Sequence, residues 1–193
     1  MPASPTRRSV KWAAACLAWP LMLGCTQTAS QGPPGPSPVG EDRLTVVCTT
    51  TMIADLVRNL AGEVAEVHGI MKEGEDPHVY DVRPRDAELI AGADLVLLNG
   101  YHLEATLGHV IDNNAEGEVV PLAERAVAQP LAGGDGLGAP DPHCWMNVAY
   151  FRRYADHARD ALIQADPAQE AIYRRNTDQY QLALDELEAW IRQ

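Results

Sequence analysis

The chain predicts an α/β fold: a doubly wound parallel sheet of four strands flanked by helices, followed by a long helix. Two observations carry this expectation. Between residues 44 and 122, apolar runs that look like strands alternate with stretches of helical period, at an interval that indicates a parallel sheet. Beyond them come two helical stretches with clear punctuation and no strand between them.

In order, Leu44 to Cys48 reads as the first strand, and Thr49-Thr50-Thr51 leads into a helix with Ile53, Leu56, Val57 and Leu60 on one face. Val64 to Ile70 is the second strand. Asp86 to Ala91 is helical, and Ala93 to Leu98 is a third strand that stops at Asn99-Gly100. A short helix near Leu103 to Ile111 precedes the fourth strand, Glu118 to Leu122. Val148, Phe151, Ala155, Ala158 and Leu162 then form a core-facing helical stripe that Asn147 can cap. Asp166-Pro167-Ala168-Gln169 has the form of a capping box with proline at its first helical position. The helix it opens carries Tyr173, Tyr180, Leu184, Leu187 and Ile191 on one side and meets no breaker before Gln193, a length of about 40 Å at 1.5 Å per residue.

The amino terminus is of a different kind. Arg7, Arg8 and Lys11 precede an apolar run of 12 residues, Trp12 to Leu23, too short to span a bilayer and suited to the core of a secretory signal. Leu21-Met22-Leu23-Gly24-Cys25 resembles a bacterial lipobox, with Met22 where that motif usually has Leu, Val or Ile. The resemblance implies lipidation of Cys25 and a protein anchored to a bacterial membrane, facing the periplasm or the cell exterior. Thr26 to Asp42 holds four prolines and three glycines with hardly any apolar residues, and is expected to be an extended, mobile tether. The expected organisation is a signal at 1–24, the tether at 25–42, a lobe at 43–165 and a helix from 166.

The 193 residues carry 15 basic and 27 acidic side chains, a net charge of −12 that becomes −15 once the three basic residues of the signal are removed. This argues against nucleic acid and favours cationic partners. Of the four cysteines, Cys16 leaves with the signal and Cys25 is the acylation candidate. Cys48 and Cys144 remain, and nothing in their spacing demands a bridge.

One tripeptide occurs twice. Asp76-Pro77-His78 and Asp141-Pro142-His143 are each followed, one residue on, by an aromatic, Tyr80 and Trp145. Even one copy is expected only about 0.03 times from this composition. Proline fixes its own φ and pushes the preceding residue into extended backbone, so each histidine follows a stiff corner in a loop. Two unrelated turns with surface histidines are the simpler account. A pair of pre-set imidazoles is the chemistry of a metal site. In a doubly wound sheet, ligands sit beyond the carboxyl ends of the strands, where the loops bearing His78 and His143 can meet.

These motifs, together with Val46 to Leu60, Gly74-Glu75, Pro84-Arg85-Asp86, Ala91-Gly92-Ala93-Asp94-Leu95, Asn99-Gly100, His102-Leu103-Glu104 and Cys144-Trp145-Met146, resemble the solute-binding lipoproteins of manganese and zinc ABC transporters. The resemblance runs from about Leu44 to Gln193. It implies two α/β lobes joined by a long helix, with Mn²⁺ or Zn²⁺ held between them. It further implies a monomer that delivers the ion to an ABC permease and performs no covalent chemistry. His78 and His143 match the ligands of the amino-terminal lobe. The family's second ligand pair follows the long helix, a region this sequence does not contain, so the expectation is a single lobe with the start of its linker helix, binding metal weakly. Asp76, Asp141 and Glu104 are candidates to hold the outer nitrogen of an imidazole, and His102 to line the site. Zinc receptors of the family often carry a His-rich loop before the second motif. Ala123 to Asp141 has no histidine, which leans toward manganese. A secreted metallohydrolase with Glu104 as base is the rival class, and no HExxH helix or Gly-x-Ser-x-Gly elbow supports it.

Overall fold

Hydrophobic strands of four or five residues assemble into one sheet that is covered on both faces. The computed structural model describes residues 43–133 and 138–193; the expected signal, the tether and Cys25 lie outside them. The strands are β1 (Leu44–Cys48), β2 (Ala65–Gly69), β3 (Leu95–Leu98) and β4 (Glu118–Pro121). The helices are α1 (Thr51–Ala61), α2 (Pro84–Ala91), α3 (Ala105–Asn114), α4 (Leu122–Ala126), α5 (Val148–Ala165) and α6 (Glu170–Ile191). All pairings are parallel, in the order β2-β1-β3-β4, with Val46 level with both Val67 and Leu95.

Strand alternation divides the core in two. Val46, Cys48, Leu95 and Leu97 pack with Leu56 and Leu60 of α1, Tyr154 and Leu162 of α5 and Tyr173 of α6. Val47 and Val96 point the other way, onto Ile90 of α2 and Leu107 and Ile111 of α3. Burial on both faces explains why these strands read as unbroken apolar runs. The order β2-β1-β3 puts the crossover reversal between β1 and β3, so the loops after Cys48 and Leu98 open the crevice at the carboxyl edge.

Three local details differ from the sequence expectation. Leu122 opens α4 instead of ending β4; its side chain is buried in either setting, so the apolar pattern does not distinguish them. The Asp166 capping box does not form: the Asp166 carboxylate accepts from the Tyr173 hydroxyl at 3.2 Å, and Pro167–Gln169 makes a 3-10 turn before α6 begins. The α-helical part is therefore about 33 Å long. Of its apolar stripe, Tyr173 and Leu184 are buried among α1 and α5, whereas Leu187 and Ile191 are 43% and 58% exposed. Asn147 does cap α5, accepting from the N–H groups of Ala149 and Tyr150 at 2.9 and 3.3 Å. Cys48 and Cys144 are both buried free thiols.

Gly117 shows how tightly the sheet closes. It leads into β4, whose Glu118 N–H donates to the Asp94 carbonyl at 3.1 Å, and a Cβ at Gly117 would sit inside the carbonyl oxygens of Asp94 and Ala93. These are backbone atoms that cannot rotate away. Gly117→Ala is expected to destabilise the fold by about 2–3 kcal/mol, read as a lower urea midpoint at unchanged slope.

Candidate metal centre

Both histidine loops use the same local device. The Asp76 carboxylate accepts the His78 N–H at 2.9 Å, and the Asp141 carboxylate accepts the His143 N–H at 2.9 Å. The intervening proline has no N–H to compete, so the aspartate closes its turn on the histidine. His78 lies within a 3-10 turn, Pro77–Val79, and His143 immediately precedes another, Cys144–Met146, so each corner is tighter than the extended one expected from proline alone.

These loops, 65 residues apart, bring the two imidazoles together with Nε2 of His78 3.1 Å from Nε2 of His143. Nδ1 of His143 lies 2.7 Å from Oδ1 of Asp141. A carboxylate only accepts, so Nδ1 carries the proton and the Nε2 lone pair faces His78. The His143 backbone N–H, and then its ring, hold the Asp141 carboxyl below the usual carboxylate range. Two facing lone pairs repel unless a proton or a cation lies between them. At a Zn–N length of about 2.05 Å the two nitrogens would subtend about 98° at a shared ion, between the octahedral and tetrahedral angles. The donor set therefore fits a borderline divalent metal.

Each loop is held from behind by a different aromatic. Tyr80 turns inward, 6% exposed, and its hydroxyl donates to the Asp86 carboxylate at 2.9 Å; that carboxylate also accepts the Arg83 N–H at 2.8 Å at the start of α2. Trp145 stays beside the second imidazole, with ring centroids 5.2 Å apart. Asn99, fully buried at the end of β3, fixes the second loop: its amide donates to the Pro142 carbonyl at 2.9 Å and its oxygen accepts the Tyr154 hydroxyl at 2.8 Å.

Of the other candidates, Glu104 contacts neither imidazole among its hydrogen bonds. It is 3% exposed and accepts from the Thr49 hydroxyl at 2.6 Å, the Asn99 N–H at 2.7 Å and the Gly100 N–H at 3.2 Å, tying the ends of β1 and β3 together. His102 is exposed on a left-handed backbone with φ 58°, and Asp76 touches His78 through its N–H. The Cys144 thiol is buried and its S–H donates to the Asp141 carbonyl at 3.6 Å; burial pushes its pKa up. Among the described residues no group of three or more His, Cys, Asp or Glu side chains gathers in one place. Sequence reasoning passed over Asn99, Thr49 and Tyr154; the first stood only as a turn residue, and polar spacing carries no signal of a buried network.

A parallel α/β lobe with paired imidazoles at its carboxyl edge and a long closing helix has the form of one lobe of a metal receptor. The family model described as zinc-uptake complex component A, periplasmic, matches residues 46–193, and the chain belongs to that family. It is 36% identical over 157 residues to the manganese-binding lipoprotein MntA of Halalkalibacterium halodurans, covering 81% of this chain and 51% of that protein. It is 33% identical to the iron-binding protein YfeA of Yersinia pestis, covering 77% and 48%. Among solved structures it superposes on the periplasmic zinc-binding protein TroA of Treponema pallidum with a TM-score of 0.73 at 33% identity, covering 78% of this chain and 55% of the other. The chain thus spans about half the length of the relatives it matches.

The Glu104 anchor has a pH signature. Burial raises its carboxyl above the usual range, against the lowering pull of its three donors. The folded chain then holds that proton better than the unfolded chain, so ionising Glu104 costs stability as pH climbs from the ordinary glutamate value toward the raised one. Glu104→Gln does not titrate there, and it turns a donor toward the Gly100 N–H. The variant should be less stable at pH 4 by about 1–3 kcal/mol, with its gap to wild type narrowing toward pH 7 in urea unfolding. A gap that widens with pH would contradict this account.

Proposed function

We propose that the chain is the amino-terminal, ligand-bearing lobe of an extracytoplasmic receptor that captures Mn²⁺ or Zn²⁺ and passes it to an ABC permease, held at the membrane by lipid on Cys25. The 3.1 Å approach of two Nε2 atoms from separate loops is the observation that carries this reading. Family membership and relatives named for manganese, iron and zinc support it. His78 and His143 supply two ligands, and Asp141 holds the second imidazole in the tautomer that ligates through Nε2. The remaining coordination positions fall to groups outside the described residues, which the reading assigns to a second lobe. The −12 net charge draws divalent cations toward the protein and repels anions.

With two protein ligands the lobe binds the ion weakly and exchanges it fast, which suits detection by paramagnetic broadening. Substoichiometric Mn²⁺ is expected to broaden the ring resonances of His78 and His143 while sparing His68, His109 and His157. His143→Ala should abolish the effect at His78, and Asp141→Asn should weaken Zn²⁺ binding by about 10–100-fold in calorimetry. Acidification should release the ion in every case, because only neutral imidazole ligates. Equal broadening of all histidines would overturn the reading.

A further inference from the structure

The strongest feature outside the metal centre is a cleft of about 480 Å³ at the edge strand β2, lined by Arg58, His68, Lys72, Arg83 and Arg85 among others. Its position is set by four separate segments. Arg58 reaches across from α1 until its guanidinium lies within 3.6 Å of where a Cβ on Gly69 would stand. Lys72 is on the loop after β2, and Arg83 and Arg85 flank the first residue of α2. The carboxylate lining the same cleft, Asp86, is 4% exposed and occupied by Tyr80 and the Arg83 N–H. Nearby, Glu75 is paired with Arg83, and Glu66 lies 3.2 Å from His68.

Arg58, Lys72 and Arg85 enter no ion pair among the described residues, whereas Arg125, Arg152, Arg159, Arg174 and Arg192 all do; Arg43, Arg153 and Arg175 form none either, but do not line this cleft. Glu75 accepts the Lys72 backbone N–H at 2.8 Å; in a chain of net charge −12, the convergence of three cations without an ion pair on one cleft needs a reason. Protection of an edge strand against pairing accounts for charges on β2 itself. It does not account for Lys72 and Arg85, which lie off the strand. Arg43, the first described residue, lines an adjoining cleft that shares Arg58, so the chain enters the lobe beside these cations.

We infer that this cationic cleft is the face by which the lobe lies against an anionic phospholipid surface, the headgroup phosphates seating among Arg58, Lys72 and Arg85. The inference rests on the reading of the chain as a membrane-tethered receptor, since a tether ending at Arg43 delivers this face to the bilayer. Elsewhere the acidic surface is repelled by anionic lipid, which orients the lobe as well as attracting it.

The test uses residues 26–193, which keep the compact unit Pro38–Gln193 whole and carry no acyl group. In cosedimentation, binding to phosphatidylglycerol vesicles should exceed binding to phosphatidylcholine vesicles and vanish at high salt. Lys72→Gln with Arg85→Gln should weaken it about 25-fold, at about fivefold per cation. Arg58→Gln alone gives the fivefold step should the double variant fold poorly, and Arg175→Gln, on α6 and without an ion pair among the described residues, should leave binding unchanged. No preference for phosphatidylglycerol, equal loss with Arg175→Gln, or saturation by inorganic phosphate without vesicle binding would each overturn the inference. Acylation of Cys25 is read separately from the mass of the cell-expressed chain, so failure of the tether and failure of the cleft are distinguishable.

Discussion

A single buried carboxylate organises the functional edge of this lobe. Glu104 gathers three donors from the ends of two neighbouring strands: the Thr49 hydroxyl after β1 and the N–H groups of Asn99 and Gly100 after β3. Removing a carboxylate from water is costly unless such donors meet it, so burial and satisfaction have to be achieved together. The chain does this with a left-handed reversal at Tyr101 and His102, φ 50° and 58°, which returns Glu104 beneath the residues it binds. Asn99, whose N–H is held by that carboxylate, is then oriented to grip Pro142 through its side chain. The placement of His143 thus depends on a residue that never touches it.

The two imidazoles are held unequally. The His143 ring is fixed on both sides, by Asp141 at Nδ1 and by Trp145 against its face. His78 is fixed at its backbone through Asp76, while among the described residues its ring has His143 as its hydrogen-bond partner. On the proposed reading, an imidazole with a set tautomer keeps its direction toward an ion while the other adjusts its distance.

Much of this was legible from residue order. The four strands, the helix after each of the first three, and the loops that carry both histidines follow from apolar period and proline, because local backbone restriction and burial act on the same residues. What escaped has a common cause. Glu104 reads as a candidate to hold an imidazole, or as a surface charge, at the start of a helix, and only the tertiary return of the chain makes it the buried acceptor of Thr49, Asn99 and Gly100. Asp166 reads as an N-cap, yet Tyr173 competes for its carboxylate and wins once α5 and α6 pack. The cations at 58, 72, 83 and 85 are scattered in sequence and converge only when α1, the loop after β2 and the start of α2 meet at one sheet edge.

On the two proposed readings, charge placement separates two tasks that conflict in one small domain. Capturing a divalent cation favours a negative field, and lying near a phospholipid surface favours a positive one. On the proposed reading the excess of carboxylates meets the first, while Arg125, Arg152, Arg159 and Arg174 are neutralised in ion pairs such as Arg174–Glu170, which add little stability and cancel local charge. A local positive field remains at the edge of β2, where Arg58, Lys72 and Arg85 line one cleft and form no ion pair among the described residues. If the basic residues were spread evenly among the acids, no local positive field would remain, since salt limits the reach of each charge to a Debye length of about 8–10 Å. Gathering Arg58, Lys72 and Arg85 at one edge keeps a local positive field on an otherwise acidic chain.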